Sequence, residues 1–361
     1  MLSATFQASA AIVTWDGGAK KVVWSGSGKG GNNGDKNWGS NLPVNGDDLY
    51  FEGGKNLSND NNIVGLSVVG ITFNSGAGAF VISGNQITLA GDITNNSANL
   101  QTISLDLGLS AADRTFSATS GDIAIGGVIS GSRGIAKTGT GKLLLSGTNT
   151  FTGATNISAG TLLANNTSGS ATGSGAVNVG VNGSLGGTGS IGPTGSGNIT
   201  VNGMIAPGTD STPGSLTINL SSTTGSLIMN SGSGFQFHLG MPQSSDSLFI
   251  LGASNGKVVF NNNNVDFMGT GSLGSYKLFD TDSNNADTWS GLTVDANGKV
   301  TGGLNYSNLA KGYAANFYIG GNSFGGDNGD IYVEVIPEPS ITLLCGLGLL
   351  IPLFRRRRPT H

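Results

Sequence analysis

The sequence predicts an all-β chain: a right-handed parallel β-solenoid with a β-rich C-terminal section and a short C-terminal transmembrane helix. Three observations point that way. Glycine supplies 63 of 361 residues and charged residues only 11%, too few charged helix formers for an ordinary α/β core. Short apolar alternations at residues 142–145, 160–164, 175–179 and 198–201 are each closed within a few residues by Gly, Asn, Ser or Thr. Strands this short bury too little alone, so stacking many of them, each hydrogen-bonded to the next, is the economical arrangement. The third observation is the apolar run 341–354, which Arg355, Arg356, Arg357 and Arg358 follow.

Charge narrows the function classes. The net charge is −4, but four of the six arginines sit at 355–358. From Pro337 onward the chain holds those four and Glu338, a net +3, so the remainder carries −7. An acidic body without a basic face excludes a nucleic-acid partner. The single cysteine, Cys345, lies in the tail, which leaves the body without a disulfide. A hydrophobic content of 37% in regularly spaced clusters argues for an ordered body.

Taken in order, residues 1–11 (MLSATFQASAA) read as the remnant of a secretory signal peptide, with Ala8 and Ala10 at a small-residue cleavage pattern. Residues 12–130 form an N-terminal cap and the first coils. The cap, rich in Trp and Gly, contains Trp15, Trp24 and Trp38 and covers an otherwise open end. The same tryptophans, if exposed, would make a sugar-stacking platform. Alternations then follow at 67–73, 79–82, 86–89, 101–105 and 122–125, punctuated by Asn and Gly.

Residues 131–220 contain the run GIAKTGTGKLLLSGTNTFTGATNISAGTL from Gly134, then Gly186-Gly-Thr-Gly, Ile205-Ala-Pro-Gly208 and Pro213-Gly-Ser-Leu. This ordered string resembles the autotransporter-associated β-strand repeat of bacterial surface proteins. The resemblance implies a solenoid displayed outside the cell. Residues 221–335 are richer in aromatic strands, among them 233–239, 246–251 and 276–279, and read as wider terminal coils or a small β-sandwich.

In residues 336–361, Pro337, Glu338 and Pro339 precede the apolar run and the arginine cluster. Those three parts, in that order, resemble the PEP-CTERM sorting signal. The resemblance implies processing by an exosortase-type membrane protease at Pro337–Pro339, after transient anchoring in the inner membrane. The physics agrees with a transient anchor: fourteen helical residues rise about 21 Å against a hydrocarbon core of about 30 Å. Arginines on the cytoplasmic side satisfy the positive-inside rule.

Catalytic constellations are sparse. The two histidines are His238 and the terminal His361, so a triad or zinc site can form only around His238, whose strand pattern favours a paired structural imidazole. Residues 137–143 miss a phosphate loop, because Ala136 and Leu143 stand where Gly and Ser or Thr are needed. Asp280 and Asp282, and Asp327 and Asp330, sit in turns that offer weak calcium positions without full loop spacing. No other cofactor is expected. The chain thus reads as a secreted, non-enzymatic structural or adhesive protein of the cell surface or exopolysaccharide matrix, with extracellular polysaccharide as partner. The alternatives are a polysaccharide-binding module using the tryptophans and a polysaccharide lyase or hydrolase on the solenoid.

Overall fold

Period-two alternation sends every second side chain of a strand inward, and the strands obey it. In Arg114–Ala118, Ile123–Ile125 and Ile199–Val201 the alternate residues are buried and those between half-buried. The computed structural model describes residues 11–18, 22–25, 37–39, 41–209, 212–241, 244–252, 257–269, 271–281, 289–320 and 329–338, and among them there is no helix.

Most strands pair in parallel with the strand one coil away. Ile71 lies opposite Ile93, which lies opposite Phe116; Phe116 faces Lys137, Lys137 faces Ile157, Ile157 faces Val179 and Val179 faces Val201. The register advances 22 residues from Ile71 to Ile93 and 20 from Lys137 to Ile157. Such a constant parallel advance defines a β-solenoid. A second ladder stacks Val81–Gly84, Gln101–Ile103, Ile123–Ile125 and Lys142–Leu145. A third stacks Ile87–Leu89, Leu107–Leu109 and Ile129–Gly131, and resumes from Ser190–Ile191 to Gly274–Thr281. Thr155–Ala164 serves both of the first two ladders. Its change of direction falls at a register shift between Ile157 and Ala159 and at Gly160, whose φ is +69°.

Of the two forms expected for the C-terminal section, the structure has wider coils. The advance grows to 28 residues from Val201 to Met229 and 31 from Val258 to Trp289. The larger interior takes aromatic rings: Phe235 and Phe279 meet edge to face at 4.9 Å, and Phe260 lies 5.5 Å from Trp289. The last strand, Ile331–Pro337, runs antiparallel to Gly274–Thr281 and to Tyr313–Ile319. That reversal ends the parallel ladder with a hairpin.

At the other end Ile12–Trp15 pairs in parallel with Asp47–Phe51. Trp15, Trp24 and Trp38 are fully buried; Trp38 meets Trp15 and Trp24 edge to face at 5.2 and 5.3 Å. Ser58–Asn61, a strand of polar residues that alternation does not reveal, pairs with Val81–Gly84. Its buried Asn59 accepts a hydrogen bond from Trp24 Nε1 at 2.7 Å.

Among the described residues no helix is long and apolar enough to cross a membrane. The expected helix at 341–354, Arg355 to Arg358 and residues 1–10 of the expected signal-peptide remnant lie outside the described residues.

Candidate functional site

The sugar-stacking platform is corrected by the structure. The three indoles plug the end of the core, packed edge to face around Phe51 and closed to solvent, so no sugar ring can lie on them. Burying three indoles against each other gains more than leaving them wet. What lies outside this end is polar: a wide open groove of about 830 Å³ against Asp16, Glu52, Asn74 and Asn96, where Asn74 Nδ2 donates to Glu52 Oε2 at 3.2 Å. Beside it runs an outward column of Thr72, Thr94, Ser117 and Thr138 in register.

Two of the weak calcium positions do meet, but around a cation the chain already supplies. Lys277 Nζ lies 3.2 Å from Asp280 Oδ1 and 3.3 Å from Asp330 Oδ2. Asp330 is fully buried and also accepts from the Thr281 amide at 2.9 Å and the Tyr332 hydroxyl at 3.2 Å. Asp282 and Asp327 lie outside the described residues. Among the described residues no three His, Cys, Asp or Glu side chains are grouped to hold a metal.

Pro337 closes the final strand, and the Glu338 amide donates to the Gly312 carbonyl at 2.8 Å. The folded body therefore extends to the first residues of the Pro-Glu-Pro motif, while Pro339 lies outside the described residues.

The most chemically organised place is a notch on the second ladder. There Leu163 lies opposite Gly186, and Gly186 opposite Ala206. These two small residues, set between the larger Leu163 and Gln236, leave a depression of about 70 Å³ that Thr161, Ser184 and His238 also line. His238 ends the strand Gly234–His238. Its Nδ1 lies 3.0 Å from Oδ2 of Asp246, which also accepts from the His238 amide at 2.7 Å; Oδ1 accepts from the Gly214 amide at 2.8 Å. Asp246 is fully buried. Burial pushes its carboxyl above the usual carboxylate range, against the hydrogen bonds from His238 and Gly214, which lower it.

Gly208 packs directly on this carboxylate. Its φ is +78°, and a Cβ there would fall 2.5 Å from Asp246 Oδ1, so only glycine fits. With Nδ1 committed to Asp246, the imidazole has a defined orientation and its Nε2 is available for a ligand. Among the described residues none bonds to Nε2 and no Ser or Thr hydroxyl is bonded to the ring, so what they form is a dyad and not a nucleophilic triad. The sequence signalled His238 but not its partner, since nothing in a spacing of eight residues marks Asp246.

A further buried titratable group is Lys137, which stands inside the apolar column between Phe116 and Ile157. Its Nζ donates to the carbonyls of Thr138, Gly139 and Ala159 at 2.8, 2.8 and 3.0 Å. Alternation marks the position as inward but not the ammonium as satisfied there.

The parallel ladders describe a β-solenoid. The passenger-associated-transport-repeat family model matches residues 135–164, which hold Lys137, the strand Lys142–Leu145 and Gly160. That likeness concerns one repeat and suggests a secreted or surface-exposed protein. No curated protein matches the chain.

Proposed function

We propose that this chain is a secreted, non-enzymatic structural rod of a bacterial surface or exopolysaccharide matrix, adhering through its polar faces to polysaccharide. The observation that carries the reading is the uninterrupted parallel ladder from Val13 to Met229, with the passenger-type repeat at its centre. A rod of this kind presents rows of side chains about 4.8 Å apart, and here those rows are hydroxyl and amide groups: Thr72 to Thr138 on one column, Asn156 and Asn178 on another. Regular polar rows suit a hydroxylated polymer better than a small substrate.

Delivery follows from the C-terminal sequence. In this proposal the apolar run 341–354 anchors the chain briefly, Arg355 to Arg358 hold the cytoplasmic side, and an exosortase-type protease cuts at Pro337 to Pro339. Since Pro337 and Glu338 belong to the terminal hairpin, the cut falls at the foot of the folded body. The test is intact mass and localisation of the chain in a host with the sorting machinery and in one without it. The expected result is loss of the residues after about Pro339 and release outside the cell in the first host alone. An uncut chain in the membrane of both hosts would refute the sorting step and leave a tail-anchored rod.

A further inference from the structure

We propose that the notch at His238 is a binding subsite for the acetyl substituent of an acetylated sugar, so that the rod recognises acetylated polysaccharide in preference to plain polysaccharide. The inference takes the polysaccharide partner from the reading above but is independent of how the chain is exported.

Size argues first. A depression of about 70 Å³ has room for a small substituent and not for a sugar ring. Charge argues next. No Asp, Glu, Lys or Arg lines the notch, and its one titratable side chain, His238, already faces the buried Asp246 carboxylate at 3.0 Å, so the lining has no spare charge for a phosphate, carboxylate or ammonium group and suits a neutral one.

The lining then matches an acetyl group part by part. Leu163, Ala206 and Pro207 form an apolar wall for a methyl. Thr161 and Ser184 stand in register on adjacent rungs, and no described residue bonds to either hydroxyl, so both can donate to a carbonyl oxygen. His238 Nε2 can accept from the amide N–H of an acetamido group or from a neighbouring sugar hydroxyl. Of the other polar groups of the notch, Gln236 Nε2 is engaged with Asp266 at 3.3 Å and Thr209 Oγ1 with Thr212.

The tie between the two backbones does not run through this imidazole. Asp246 already ties the backbones of residues 214 and 238, and the contact to Nδ1 adds orientation of the ring. Orientation of a partly exposed ring with a free nitrogen is useful to a ligand, and it limits the ordering cost on binding.

The experiment is calorimetric titration of the full-length chain with the β-1,4-linked tetramer of N-acetylglucosamine and with the corresponding glucose tetramer. The acetylated tetramer should bind at least about tenfold tighter. Ala206→Leu, which fills the notch from an outward strand position, should remove the difference; Ser184→Ala and His238→Gln should each reduce it by several-fold while Thr88→Ala, on the third ladder, leaves it unchanged. Thermal melting of each variant checks folding, and Ser184→Ala provides the answer if Ala206→Leu does not fold. Equal affinity for the two tetramers, or full discrimination retained by the folded notch variants, would overturn the proposal. Failure of sorting with discrimination intact would sink the export reading alone.

Discussion

Lys137 shows what a single residue can set in this fold. An ammonium in an apolar column is tolerated because three carbonyl oxygens receive its three hydrogens, yet burial lowers its pKa from 10.5 to about 8, with Asp122 pulling weakly the other way. The folded pKa lies below the unfolded one, so above pH 8 the unfolded chain holds a proton that the folded chain has released. Stability from this group therefore rises with pH between about 8 and 10, and its burial cost is fully present below 8. Above 10 the effect is opposed by Tyr318 and Tyr332, which burial raises above 10.0. Denaturant titrations at pH 7 to 10 should show the rise, and Lys137→Met should flatten it. A wild-type chain without a slope in that window would contradict the account.

At the scale of an element, Thr155–Ala164 does two jobs, and Gly160 makes that possible. The strand leaves the first ladder and enters the second within ten residues, which demands a left-handed residue at the corner. A Cβ at Gly160 would fall 2.4 Å from the carbonyl oxygens of both Gly139 and Gly141 and 2.7 Å from Lys137 Nζ. Left-handed strain and backbone collision together should make Gly160→Ala cost more than about 2 kcal/mol, read as a shift of the denaturation midpoint. Gly76, which has no neighbour within 4 Å of its ideal Cβ and no positive φ, is the matched control. Equal effects at the two sites would show that the corner is not the cause.

At the scale of the molecule, a solenoid is quasi-one-dimensional, so each coil is held by its neighbours and damage stays local. The terminal hairpin depends on Asp330, whose carboxylate joins Thr281, Tyr332 and Lys277. Asp330→Ala removes a buried acceptor from at least two donors and should destabilise this end by roughly 1–3 kcal/mol. Hydrogen exchange should accelerate in Gly274–Thr281 and Ile331–Pro337 while the ladder from Leu49 to Val201 keeps its protection. Uniform acceleration along the rod would mean that the coils unfold as one cooperative unit.

Much of this architecture is written in the chain locally. Lys142–Leu145 and Ile123–Ile125 are strands where alternation places them, and the short strands with Gly and Asn corners imply stacking, because pattern and turn chemistry act within a few residues. Other features are decided by tertiary structure alone. Trp15, Trp24 and Trp38 read as a structural cap with a binding platform as the alternative, and only the packing around Phe51 turns all three inward. Ser58–Asn61 becomes a strand because its neighbours offer a ladder, not because its own residues favour one. The pairing of His238 with Asp246, the meeting of Asp330 with Lys277 and the gap at Gly186 and Ala206 all depend on register. A parallel register joins residues 19 to 41 positions apart through turns of varying length, and no local preference of either partner specifies which coil-mate it will face.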